Sequence, residues 1–211
     1  NLEQENKKQI SFSQRMRDWF RWILYPIAGF LNRIGLHPNS VTLIGLFGTI
    51  GTALLISLDK MTYAGILLLI MGPVDALDGA MARLRGETSS YGAFVDSVTD
   101  RYSELFIFLG FIIHYLRTED PLGIAFTYLA AAGSVLVSYV KARADASRLD
   151  ANVGLLTRVE RYIVLIPGLI FNIPFIALVI IAIFANFTAL QRIMQVRRYV
   201  MKNPPSGETH V

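Results

Sequence analysis

Apolar residues in this chain come in long blocks, not in alternation. Six segments approach the length a helix needs to cross a bilayer, about 20 mostly apolar residues. They are 40–58, 61–84, 91–116, 121–144, 158–171 and 173–200, the fifth being short for a crossing. Their polarity is uneven. The third opens polar and ends apolar, the fourth does the reverse, and the fifth and sixth repeat the pair. Before them, 12–35 mixes Arg15, Arg17, Arg21 and Arg33 with Trp19, Phe20, Trp22 and Ile23. Basic residues beside tryptophans suit a helix lying in the membrane interface. A seventh span over 18–35 competes with that reading, and charge placement favours the interface.

Lys and Arg accumulate on the cytoplasmic side of membrane proteins. With six spans starting at 40, the even-numbered connections share one side with both termini. That side holds 18 of the 20 Lys and Arg residues, leaving only Lys60 and Arg117 opposite. Both termini are therefore expected in the cytoplasm, and the polar ends of all the spans meet at the cytoplasmic face. The predicted fold class is an all-α integral membrane protein of six transmembrane helices, preceded by an N-terminal interfacial amphipathic helix. Its expected parts are a polar segment 1–11, a juxtamembrane amphipathic helix 12–36, a six-span domain 37–200 and a disordered tail 201–211. The chain starts at Asn1 without Met, so disorder or trimming is expected at that end, and no cleavable leader is apparent.

Composition agrees. Of 211 residues, 53% are hydrophobic, and the mean hydropathy is +0.45. That is too apolar for an ordinary soluble domain. The net charge of +4 reads as basic loops facing anionic lipid, with no nucleic-acid partner expected. The absence of cysteine excludes disulfides, thiolate metal sites and a cysteine nucleophile.

Against this background the stretch DALDGAMARLRGETSSYGAFVDSVTD (75–100) stands out. Asp75 and Asp78 are three apart, Asp96 and Asp100 four apart, so each pair shares a helix face. A short connection makes the two helices antiparallel neighbours. Four carboxylates near a bilayer repel and are costly to desolvate, and a divalent cation removes that penalty. Oxygen ligands favour Mg2+, Ca2+ or Mn2+ over Zn2+. Gly79 and Gly92 suggest close approach by a ligand, and Arg83 could reach a phosphate. Together they suggest a pyrophosphate-bearing ligand. One competing account pairs the carboxylates with Arg83, Arg85 and Arg101 at the membrane surface, but two pairs with interleaved glycines argue against it. A divalent-cation transporter or channel also competes, but its carboxylates would be expected at mid-membrane.

The pattern Asp75-x-x-Asp78-Gly79-x-x-Ala82-Arg83, eight residues, then Gly92-x-x-x-Asp96-x-x-x-Asp100 resembles the signature of the CDP-alcohol phosphotransferases. The likeness covers about 36–200 and includes HPNSVT (37–42). It implies transfer of a phosphatidyl group from a CDP-linked lipid, CDP-diacylglycerol or CDP-archaeol, to an alcohol, with release of CMP. By this resemblance Asp75, Asp78 and Asp96 hold Mg2+ (or Mn2+), with Asp100 beside the metal as the general base. Asp75, Asp78, Gly79, Ala82, Arg83, Gly92 and Asp96 contact the CDP moiety. A homodimer in the plasma membrane of a bacterium or archaeon is implied as well.

A second polar cluster, 137–162, joins the fourth and fifth spans. Ser138 and Lys141 are i,i+3, as are Arg158 and Arg161, with Arg143 nearby. Such a pocket suits an anion with several oxygens, such as a phosphate. Arg148, Arg192 and Lys202 read as ordinary cytoplasmic charge. SYVKARA followed by NVGLLTRVER resembles the bacterial phosphatidylinositol-phosphate and archaeal archaetidylinositol-phosphate synthases. That likeness implies inositol 1-phosphate as acceptor, its phosphate bound by Ser138, Lys141, Arg158 and Arg161 with Arg197, and Arg143 a weaker candidate. Glycerol 3-phosphate is the rival acceptor. His37, His114 and His210 are expected to be incidental.

Overall fold

The computed structural model of the chain describes residues 24–86, 89–149 and 151–202. The polar segment 1–11, the first half of the amphipathic helix 12–36 with both tryptophans, and residues 203–211 lie outside the described residues. So does the Asp75 side chain.

Among the described residues seven helices follow one another and no strand occurs. The described part of α1 is 24–33. Then come α2 (Pro38–Ser57), α3 (Met61–Arg85), α4 (Ser90–Arg117), α5 (Pro121–Ala146), α6 (Arg158–Ile170) and α7 (Pro174–Lys202). The last runs two residues into the segment read as tail. Four of them, α2, α3, α5 and α7, are long and apolar enough to cross a membrane. The chain is thus a multi-pass membrane protein. Helix α4 has the length but carries Asp96, Asp100 and Arg101 in its first half and Glu104 at its middle. Helix α6 has 13 residues, and at a rise of about 1.5 Å each it is shorter than the bilayer's hydrocarbon core.

Local chemistry sets the helix ends. Proline at the first turn opens α2 and α5, where its missing N–H costs nothing. Ser89 caps α4 by accepting from the Gly92 N–H, and Asp120 caps α5 by accepting from the Gly123 N–H. Gly86 closes α3 in the left-handed conformation, φ 69°. The three tight turns opposite the polar ends each carry one residue of positive φ: Asp59, Glu119 and Asn172. His114 sits at that far face, 3.6 Å from Asp59, away from the four aspartates.

Helix α2 packs on α3 and α4, α4 on α5, α5 on α7, and α6 between α3 and α7. Small residues permit the closest approaches, as in other membrane bundles. A Cβ on Gly110 would lie 2.5 Å from the Ala53 carbonyl oxygen, so α4 rests directly on the α2 backbone. The main core runs through α2–α7 around Phe111, Leu169, Leu178 and Ile181. A smaller one joins Leu24 and Ala28 of α1 to Val41, Leu77, Ala80 and Met81. Asn32 clamps α1 to the end of α3, donating to the Met81 carbonyl and accepting from Arg85 Nε. Large apolar side chains such as Phe47, Leu54, Ile70, Leu122 and Ile183 stand exposed around the bundle, as a lipid-facing surface requires.

Candidate active site

The C-terminal half of α3 and the N-terminal half of α4 carry the signature residues. Asp78 is only 7% exposed. Its Oδ2 accepts from Thr42 Oγ1 at 2.5 Å and its Oδ1 from the Gly79 N–H at 2.5 Å. These two bonds fix the plane of a carboxylate buried where an unsatisfied charge would be prohibitive. Gly79 leaves room for the Arg83 guanidinium, whose Nη1 would lie 3.3 Å from an added Cβ. Ala82 is half-buried and Arg83 exposed. Gly92 and Asp96 are half-buried on α4. One turn further, Asp100 meets Arg158 of α6, Oδ1 to Nη1 2.6 Å.

The donor set fits a hard divalent ion, since it is made of carboxylates on two consecutive helices in a chain without cysteine. Among the described residues, no three acidic or imidazole groups come together closely enough to hold an ion by themselves. The Asp75 side chain lies outside that set.

The residues of the second polar cluster lie at the C-terminal ends of α5 and α7 and the N-terminal end of α6. Lys141 Nζ donates to Asn152 Oδ1 at 2.8 Å, tying α5 to the loop before α6. Ser138 is half-buried, and Arg143 and Arg197 are exposed. Arg158 also stacks over the Tyr162 ring, 5.4 Å from its centroid.

Two expectations need correction. Arg161 does not line an open pocket. It is 2% exposed, and its Nε and Nη2 are held by the two oxygens of Glu104 at 2.6 and 3.0 Å, while Nη1 donates to the Leu156 carbonyl. Arg192, read as ordinary cytoplasmic charge, is 4% exposed and donates to the Val153 and Val137 carbonyls at 2.8 and 2.6 Å. Above it on α7, Thr188 Oγ1 accepts from the Leu155 and Leu156 N–H groups. Together Arg192 and Thr188 hold the α5–α6 loop whose Asn152 receives Lys141.

Thr42, Glu104, Asn152 and Thr188 were not singled out from the sequence. Glu104 alone carried a usable signal there. It continues the Asp96, Asp100 series at the same spacing of four, and so extends the acidic face by one turn.

Carboxylates of α3 and α4 and basic side chains of α5, α6 and α7 stand at one end of a membrane bundle, with Asp100 and Arg158 in contact between them. A family model described as CDP-alcohol phosphatidyltransferase matches residues 35–200, and the chain belongs to that family. It is 34% identical over 169 residues to the archaetidylinositol phosphate synthase of Pyrococcus horikoshii, covering 80% of this chain and 87% of the relative. It is 37% identical over 161 residues to the phosphatidylinositol phosphate synthase of Mycobacterium tuberculosis, covering 74% of each. The crystal structure of that mycobacterial enzyme (PgsA1) with CDP-DAG bound superposes with a TM-score of 0.77 at 29% identity. The match covers 90% of this chain and 98% of the other. A second structure of the same enzyme, in complex with manganese and citrate, also superposes at 0.77, covering 89% of this chain and 93% of the other.

Proposed function

We propose that this protein transfers the phosphatidyl group of a CDP-linked lipid to inositol 1-phosphate, giving phosphatidylinositol phosphate and CMP. The observation that carries the reading is the 2.6 Å contact between Asp100 and Arg158. It joins the carboxylate face of α3–α4 to the basic end of α6. A hydroxyl attacking beside Asp100 therefore belongs to a molecule whose anionic group can sit at Arg158. Relatives named for inositol phosphate products support the same acceptor.

Asp75, Asp78 and Asp96, with Asp100 beside them, would hold Mg2+ or Mn2+. The bound ion neutralises pyrophosphate charge and stabilises the departing phosphate of CMP. Thr42 and the Gly79 N–H hold the Asp78 carboxylate in one orientation. Gly79, Ala82, Arg83 and Gly92 bind the CDP moiety, and the exposed Arg83 is suited to its phosphates. Ser138, Lys141, Arg158 and Arg197 bind the acceptor phosphate, Arg143 at their edge, while Arg161 acts from behind them. Asp100 takes the acceptor hydroxyl proton as the oxygen attacks the lipid-bearing phosphorus and the pyrophosphate P–O bond to CMP breaks.

All of α2–α7 cross the bilayer in this reading, with α1 at the interface, the site and both termini cytoplasmic, and two copies forming a dimer. The test is CMP release by the purified protein given CDP-diacylglycerol and Mg2+, with inositol 1-phosphate, glycerol 3-phosphate, inositol or serine as acceptor. Release with inositol 1-phosphate that vanishes in Asp100→Asn is the expected result. Release with glycerol 3-phosphate alone would keep the family and overturn the acceptor.

A further inference from the structure

Arg158 meets a carboxylate and an aromatic ring with different parts of its guanidinium. One edge of the group donates through Nη1 to Asp100 Oδ1 at 2.6 Å. Its Cζ lies 5.4 Å from the centre of the Tyr162 ring, one turn further along α6. Helix α6 packs chiefly on α3 and α7, so Arg158 has to reach across to α4 to touch Asp100. A side chain of that length has many rotamers, and it stays extended in one direction only where something restrains it.

The Tyr162 ring is itself firmly backed. It is half-buried and packs against the main core. With Gly45 and Thr49 of α2 and Leu68, Met71 and Gly72 of α3 it lines a small recess between three helices. Thr49 turns its hydroxyl onto its own helix, donating to the Gly45 and Leu46 carbonyls at 2.7 and 3.0 Å. The recess therefore presents apolar surface to the ring, and Gly72 precedes Asp75 by less than one turn of α3. A cation over an aromatic face is held most strongly where water is kept away.

Stacking and hydrogen bonding use separate parts of an arginine. An aromatic ring attracts the face of the guanidinium, while the N–H groups stay directed outward in its plane. An arginine fixed by its face can give up a carboxylate and take a phosphate without moving. That exchange is what the proposed reaction asks of Arg158, because Asp100 has to be released to accept the hydroxyl proton when the acceptor arrives.

We propose that Tyr162 is a positioning residue of the acceptor site. Its ring face holds the Arg158 guanidinium in place while the edge of that group exchanges Asp100 for the acceptor phosphate. This role rests on the acceptor reading above, in which Arg158 binds that phosphate. It belongs to the ring of Tyr162 and not to its hydroxyl.

The experiment is steady-state CMP release by the full chain, varying inositol 1-phosphate at saturating CDP-diacylglycerol and the reverse, with thermal unfolding measured with and without CMP. Tyr162→Leu keeps an apolar side chain at the recess and removes the ring. It should raise KM for inositol 1-phosphate about 2- to 30-fold, the range that loss of a cation–π contact corresponds to. KM for CDP-diacylglycerol should stay within about twofold, and CMP should still raise the unfolding temperature. Tyr162→Phe, which keeps the ring, should leave both KM values near wild type. Progressively fluorinated phenylalanines at position 162 keep the ring's shape while draining negative charge from its face. KM for inositol 1-phosphate should climb with each added fluorine, a trend that packing alone would not produce. A flat response to fluorine would overturn the proposal, even if Tyr162→Leu failed to fold. A loss in Tyr162→Phe as large as in Tyr162→Leu would assign the effect to the hydroxyl and also overturn it. So would equal changes in both KM values with a lower unfolding temperature, the behaviour of a purely structural residue. Wild-type protein that uses glycerol 3-phosphate alone would overturn the acceptor reading instead, and the fluorine series would then be read on that phosphate.

Discussion

Thr42→Val removes one hydroxyl from beside the Asp78 carboxylate and changes almost nothing else in size. Thr42 Oγ1 donates to Asp78 Oδ2 at 2.5 Å, and Asp78 is 7% exposed, so water cannot easily replace the lost donor. A hydrogen bond to a charged group contributes about 1.5–3 kcal/mol, and about 1.4 kcal/mol corresponds to a tenfold change in an equilibrium constant. Loss of a partner that orients a metal-binding carboxylate typically weakens metal affinity about 10- to 100-fold, in line with that energy. The assay is CMP release as a function of Mn2+ or Mg2+ at fixed substrates. The metal concentration for half-maximal rate should rise by about 10- to 100-fold in Thr42→Val, while Thr42→Ser, which retains the hydroxyl, stays near wild type. Unchanged metal dependence in Thr42→Val would show that Asp78 does not depend on Thr42 for its orientation. A lower maximal rate at unchanged metal dependence would instead assign Thr42 to the substrate.

Three further outcomes are expected. Gly110→Ala places a methyl 2.5 Å from the Ala53 carbonyl oxygen and 2.9 Å from its Cα, and should lower stability by about 1–3 kcal/mol. Gly72→Ala, whose Cβ meets nothing within 4 Å, should be neutral or raise stability by up to about 1 kcal/mol, and thermal unfolding in detergent compares the two. Arg192→Met removes the side-chain donor to the Val153 carbonyl and leaves the Val137 carbonyl only its bond within α5, at about 1–3 kcal/mol for a buried acceptor left unsatisfied. It should also raise KM for the acceptor by releasing the loop that carries Asn152. Chelation with EDTA should abolish CMP release, and added Mn2+ or Mg2+ should restore it; recovery with one ion alone would assign the cofactor.

Much of this protein was legible from spacing within single helices. Long apolar blocks marked the four helices that are long and apolar enough to cross a membrane, because the bilayer demands about 20 such residues in a row. The intervals 75–78 and 96–100 put carboxylates on shared faces because 3.6 residues make a turn. The connection after α3 is short, but α3 and α4 each pack chiefly on α2. The signature of the family needed no more than those intervals, being contained in two consecutive helices.

Relations between distant helices were decided only by the tertiary structure. Helical periodicity defines faces but not how each helix is rotated against a partner that follows many residues later. Thr42 reaches Asp78 across 36 positions and Arg161 reaches Glu104 across 57. Arg161 and Arg192 carry the same charge as Arg143 and Arg197 and end spans in the same way. Two of these arginines are sealed in the bundle and two are exposed. That division follows from which carboxylate or carbonyl each guanidinium meets once α4–α7 have packed. A long side chain can be drawn inward only where the assembled helices supply acceptors for its donors, and those acceptors lie on other segments of the chain.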